Sequence, residues 1–542
     1  MRCLLVVLVV AACSHAAPPA GPSPTHVAAR WRGPEILASV PADTPYLFGV
    51  IEPAPAPLRD RLFTQTGAQV QAYLKKAASS EGKSAVLAAA LYQEIEGVDP
   101  AHVIDALGGA RDGRFVVYGL SIWPVMRLEI KDDVRVRQLI GRLIQAAGSE
   151  LQPRSVGRAM LYTLAAGKMT IVFGVVGHQL VGAFVPTDSL DRTLPAIIGT
   201  DLPAHSLRDA PLVPELLARH RFVPQLLAYA DTRRVVDILS GHGKGTNDAL
   251  ASSFANLIPQ ACQDDAARMT AALPRIALGY RRLDEHGFDM ALALEVPSAV
   301  GKDLAKLRAT MPALPAAPPA LFAIGAAADV DATIGWLRGV AHQLQSHPFQ
   351  CPALGELNHA VDTVTGKIDQ SMPPMLQGLR GFEIVVDDFT ILPPSGSGEL
   401  LVEGTHVADT VQQLVAKQPQ IAFAVTPDGH PIPLPLAKMG VPPTISSAHF
   451  ALRPTRAAIA VGDRSADRAS ALVSAPGVRA PFLTVAYDLP KLRERFPQYF
   501  KTNDFSQLSV VNSTTLSVDV GDDGITLEMV GTWAPAPASI GR

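Results

Sequence analysis

Between residues 342 and 359 lie His342, His347, Cys351, Glu356 and His359, the densest run of potential metal ligands in the chain. Imidazole, thiolate and carboxylate donors suit zinc, whose sites pair ligands about two to five residues apart on one turn or helix face. Pro348 separates the two leading histidines from Cys351, and a proline inside a helix removes a hydrogen bond and clashes with the preceding turn. His342, His347 and His359 therefore stand as candidates only, and the sequence assigns no metal and no cofactor. Glu52, Asp231, Asp329 and Asp488 each close an apolar strand pattern just before a helical one. Carboxylates gathered at strand ends could hold a cation or exchange protons. The same spacing is what a helix N-cap requires, where a carboxylate accepts from free N–H groups, and the cap is the expected role.

Nucleophile and phosphate motifs fail at the residues that matter. Gly241-His242-Gly243-Lys244-Gly245-Thr246 has Ile238 where a phosphate loop needs its first glycine and Gly245 where it needs Ser or Thr. Ser80-Glu81-Gly82-Lys83 fits the Ser-x-x-Lys of serine acylating enzymes, without their Ser-Asp-Asn and Lys-Thr-Gly partners. No Gly-x-Ser-x-Gly, His-Glu-x-x-His or Cys-x-x-Cys occurs.

The elements that would position any site read as an α+β fold, a tandem duplication of a mostly antiparallel sheet with helices packed on one face. Pro41–Phe48 recurs as Pro315–Phe322, a displacement of 274 residues shared by Glu129 with Glu403. Val185, Ser189, Asp191 and Arg192 match Val461, Ser465, Asp467 and Arg468 at 276, and Ala228–Asp231 matches Val485–Asp488 after an insertion around Asp201–Phe222. Apolar runs predict strands at Tyr46–Glu52, Gly113–Leu120, Val125–Ile130, Ala159–Leu164, Met169–Val175, Gln179–Val185 and Gln225–Ala230. Asp132 and Asp133 precede Val136, Leu139, Ile140, Leu143 and Ile144, a helical face. Ile276, Leu278 and Tyr280 alternate before Phe288, Met290, Leu292 and Leu294, as Leu516, Val518 and Val520 do before Ile525, Leu527 and Met529. Alternation of this kind means a sheet buried on one face. The expected layout is a first copy over 35–310, a Pro/Ala linker over 311–320, a second copy over 321–534 and a tail over 535–542.

The N-terminus carries the most specific motif. Arg2, the apolar run Leu4–Val10 and the small residues Ala11 and Ala12 form an export signal, too short to span a membrane. Val10-Ala11-Ala12-Cys13 resembles the lipobox of bacterial lipoproteins, which implies cleavage after residue 12 and diacylation of Cys13. An ordinary signal peptide cut nearby is the other reading. Residues 13–34, with Pro18, Pro19, Pro22 and Pro24, read as an extended tether. The phrase Pro41-Ala42-Asp43-Thr44-Pro45-Tyr46 before an apolar strand resembles uncharacterised exported proteins and lipoproteins of Gram-negative bacteria. That resemblance implies cell-envelope residence, with the outer membrane favoured because Ser14 gives no Asp-type retention signal, and it transfers no catalytic residues.

With Cys3 in the signal and Cys13 taken by lipid, Cys262 and Cys351 remain for the folded body. In an oxidising compartment two thiols suggest a disulfide; two buried free thiols are the alternative. The 542 residues carry 48% hydrophobic and 18% charged side chains and a net charge of −3. Such a chain buries substantial cores, and its near-neutral charge gives no electrostatic footprint for nucleic acid. Two functions are compatible with these observations. One is a non-enzymatic envelope lipoprotein, membrane-held through its lipid, that binds or scaffolds a protein, glycan or lipid partner. The other is an exported hydrolase whose site assembles from sequence-distant residues.

Overall fold

The computed structural model describes residues 32–148, 151–242, 257–312, 320–370, 372–373, 376–390, 394–417, 424–445, 447–500 and 511–533. Cys13, the tether up to residue 31 and residues 243–256, which include the Gly243–Thr246 part of the phosphate-loop candidate, lie outside them. Two compact units emerge: one holds the described residues up to Thr270 with Arg275–Glu285, the other Ala271–Pro274 and the described residues from His286 onward. The sequence reading places Gly287–Glu295 in the first copy; the structure groups this strand with the second unit, where its whole length pairs with Gly524–Trp533.

In the first unit the strands are β1 (Tyr46–Val50), β2 (Phe115–Leu120), β3 (Trp123–Glu129), β4 (Gln152–Val156), β5 (Ala159–Ala166), β6 (Met169–Val176), β7 (Gln179–Pro186), β8 (Val223–Asp231) and β9 (Arg275–Leu283). All neighbours are antiparallel, in the order β9-β8-β1-β2-β3-β7-β6-β5-β4. The β5–β6 hairpin turns at Gly167, whose φ of 66° suits a residue without a side chain.

The second unit holds β10 (Gly287–Glu295), β11 (Thr310–Met311), β12 (Phe322–Ala327), β13 (Leu379–Thr390), β14 (Ser395–Gly404), β15 (Ile432–Pro433), β16 (Ala448–Arg453), β17 (Arg456–Val461), β18 (Val478–Arg479), β19 (Leu483–Asp488), β20 (Val511–Gly521) and β21 (Gly524–Trp533). Its order is β10-β21-β20-β19-β12-β13-β14-β17-β16-β15, again antiparallel, with β11 paired to β18. From β9 to β5 and from β20 to β15 the two units follow one strand order, and the fold is α+β.

Asp231 and Asp488 align the copies: the Asp231 N–H donates to Pro45 and the Asp488 N–H to Leu321, each to a carbonyl just before the neighbouring strand. Following the ladders from there, Glu129 falls on Glu403, as the sequence pairs them. Phe48 falls on Ile324 rather than Phe322, and Val185 on Gly462 rather than Val461. The last difference matters, since one residue of slip turns a strand side chain to the other face: Val185 is fully buried and Val461 only partly.

Helices Leu190–Ile198 and Ser465–Ser474 cover one face. The first buries Leu190, Leu194, Ile197 and Ile198, and the second sets Ala469 and Val473 on Leu401, Ala451, Ala458 and Ala460. At the β5–β7 end, helix Asp133–Ala147 places Val136 and Ile140 on Val175, Tyr162 and Phe173 of the opposite face. Helix Val407–Ala416 does the same against Phe450, Val402 and Ile459. Over the central strands the second face is open among the described residues, with Phe48, Met126, Ile384 and Leu516 exposed. The alternation in β9 also has a different sense from a simple large-in pattern: Ala277 is fully buried while Ile276, Leu278 and Tyr280 are half-buried. A Cβ at Gly279 would sit 2.6 Å from the Phe222 ring, so the covered face takes small residues here because Phe222 fills the space.

Candidate functional site

The structure disperses the metal candidates. His342 Nε2 stands 3.2 Å from Asp369 Oδ1, His347 Nδ1 lies 2.9 Å from the Ser346 hydroxyl, and His359 sits on helix Gly355–Ile368. Among the described residues no group of three or more His, Cys, Asp or Glu is placed to hold a metal ion. Cys262 and Cys351 are buried and each is disulfide-bonded. Asp231, Asp329, Asp488 and Asp132 accept from the backbone N–H of Arg234, Ala332, Lys491 and Arg135 at 2.8–3.0 Å. These are helix caps. Glu52 is not one, because Pro55 occupies the N-cap of helix Ala56–Ala78. Ser80 donates to the Ala77 carbonyl on an exposed turn. No helix among the described residues is long and apolar enough to cross a membrane.

Two polar arrangements went unread in the sequence. The first ties a guanidinium to a helix end in each copy, where the carbonyls carry partial negative charge. Arg127 of β3, 3% exposed, donates to Ile197 at 2.6 Å and to Gln179 at 2.9 Å. In the second unit the ladder puts Arg456 at the place of Gln179. Arg456 reaches the Ala475 carbonyl and grips Glu403 with Nε at 2.9 Å and Nη2 at 3.3 Å. Beside Arg127 opens a cleft of about 540 Å³ lined by Arg114, Glu129 and His178 among others; beside Arg468 and Glu399 lies one of about 360 Å³.

The second arrangement lies on the covered face of the second sheet. Glu383 of β13 is 1% exposed, between Gly325 of β12 and Leu401 of β14, and its Oε2 has no hydrogen-bond partner. Burial pushes its carboxyl up to about 7, and the charge of Glu399 adds to the rise. Thr484, on the far side of Gly325, is also buried with its hydroxyl unpartnered. Elsewhere on this sheet, Ser465 lies 2.9 Å from His449 Nδ1 and 3.1 Å from the Ser447 hydroxyl. Ser465 is 2% exposed, and the trio joins β16 to the helix start after Arg464, whose φ is 57°.

The open faces repeat as closely as the caps do. One row across the first sheet runs through Leu278, Ala228, Phe48, Val117 and Met126. The equivalent row of the second runs through Leu516, Val485, Ile324, Ile384 and Leu400. Phe48 is 43% exposed and Met126 38%; Leu516 and Ile384 are exposed to the same extents. Large side chains half in water on adjacent strands form a contiguous apolar patch, the kind of surface that marks an interaction site. Charged residues would be the ordinary choice for a solvated sheet face.

The chain is thus a duplicated α+β sheet protein with two apolar faces. No known family matches it, and no curated protein or solved structure is similar to it.

Proposed function

We propose that the chain is a non-enzymatic cell-envelope lipoprotein, tethered through a diacylated Cys13 and binding an apolar partner on its two open sheet faces. The matched rows from Leu278 to Met126 and from Leu516 to Leu400 support this reading. Both copies keep large apolar side chains at positions that water reaches. Leaving such a surface bare costs roughly 25 cal/mol per Å² relative to covering it, so it suits a lipid chain or an apolar protein segment better than a glycan. Several acyl chains on one cysteine would hold the protein at the membrane, where a single chain gives only marginal binding.

Two measurements test it on the full chain. Cys13→Ser should abolish incorporation of radiolabelled palmitate, and persistent label would remove the anchor. A fluorescent fatty acid should bind the detergent-purified protein saturably. Met126→Asp and Ile384→Asp should each weaken that binding about tenfold, since a carboxylate on the row must be desolvated. Unchanged affinity in both variants would leave the faces without this role. The alternative of an exported hydrolase has the Ser465–His449 contact in its favour, although Ser465 is almost fully enclosed. Labelling of Ser465 by a serine-reactive phosphonate would decide for it.

A further inference from the structure

We propose that the covered face of the second unit contains a proton-binding site, formed by Glu383 with Thr484 across Gly325, whose emptying loosens this sheet. The geometry is specific to one copy. At the aligned positions the first unit has Val116, Gly49 and Leu227, all apolar or without a side chain and all buried. In the second unit the glycine is kept, and Glu383 and Thr484 stand on either side of it with unpartnered oxygens. A buried polar group without a partner destabilises the fold, more so when it is charged. A sheet that keeps two of them around a glycine bears a cost that its sister avoids.

The charges facing Glu383 favour the neutral acid. Glu399 and Glu403 on β14 add negative charge, but Arg468 grips Glu399 at 2.7 Å and Asp387 at 2.7 Å, and Arg456 holds Glu403. Asp467, the other charged residue of the covering helix, is exposed beside Arg464. β12 and β19 bring Gly325 and Thr484, neither of which titrates. Among the described residues no cation pairs with Glu383, and Glu399 is the charge that adds to the rise of its carboxyl.

An unfolded glutamate titrates at about 4.3, and the folded carboxyl titrates at about 7. Between those values the folded chain holds a proton that the unfolded chain has released. Stability from this group is therefore full below about 4.3 and is lost as pH rises toward 7. The limiting slope for one proton is about tenfold in the unfolding constant per pH unit.

Urea unfolding of the full chain at pH 5.5, 6.5 and 7.5 tests this against Glu383→Gln, which cannot titrate. The unfolding constant of the wild type relative to the variant should rise by close to tenfold from 5.5 to 6.5 and level off above about 7. A ratio independent of pH overturns the proposal. If the variant does not fold, the infrared spectrum of the wild type supplies the answer: a protonated carboxylic-acid band at pH 6 should disappear by pH 8. Its absence at pH 6 overturns the proposal equally.

Discussion

The two sheets share a strand order but solve the same interior with different chemistry. In the first, the row Leu227, Gly49, Val116 ends on Arg127, a buried cation held by the neutral partners Gln179, Tyr118 and the Ile197 carbonyl. In the second, Thr484, Gly325, Glu383 ends on Leu401, and the cation comes from Arg456 on another strand. Both copies deliver a guanidinium to the C-terminal carbonyls of the covering helix, so the requirement belongs to the fold. The strand that meets it is free to change, because the ladder brings both Gln179 and Arg127, or both Arg456 and Leu401, to that helix end. The covered faces have diverged while the open faces have kept one apolar row.

The largest expected effect separates the two arginines. Arg456→Ala should cost about 3–5 kcal/mol, because it strands Glu403, a buried carboxylate, without its partner. Arg127→Ala should cost about 2 kcal/mol, since it leaves only neutral acceptors unmet. Denaturant unfolding measures both, and equal losses would break the contrast between a charge-paired and a neutral anchor. A smaller and symmetric effect sharpens the shared part: Asp231→Ala and Asp488→Ala should each cost about 1 kcal/mol as lost N-caps. Unequal costs would mean that the two caps serve different ends. Smallest is the exposed pair Arg154–Asp191, where Asp191→Ala should change stability by less than about 1 kcal/mol because solvent screens the contact.

Much of this architecture was legible in the residues. Hairpins such as Met169–Val176 with Gln179–Pro186 stand where the apolar runs and Gly turns put them, because strand alternation and turn chemistry are local. The caps at Asp132, Asp231, Asp329 and Asp488 were legible for the same reason, each needing only a backbone N–H three residues away. Glu52 broke that pattern because Pro55 starts the helix instead. Strand Gln152–Val156, built of Gln, Pro, Arg, Ser and Val, showed no alternation to read. Glu383 passed unnoticed, since nothing in Gly-Phe-Glu-Ile-Val-Val distinguishes a solvated glutamate from an enclosed one.

The sequence by itself determined which segments become strands and helices and, through recurrent phrases such as Ala228–Asp231 and Val485–Asp488, that the body is built twice. Only the tertiary structure decided which side of each strand is covered, that Ala277 rather than Leu278 is fully buried, and that Glu383 Oε2 has no hydrogen-bond partner. Those outcomes depend on register between strands far apart in the chain, where one residue of slip reverses every side chain and no local pattern records the neighbour.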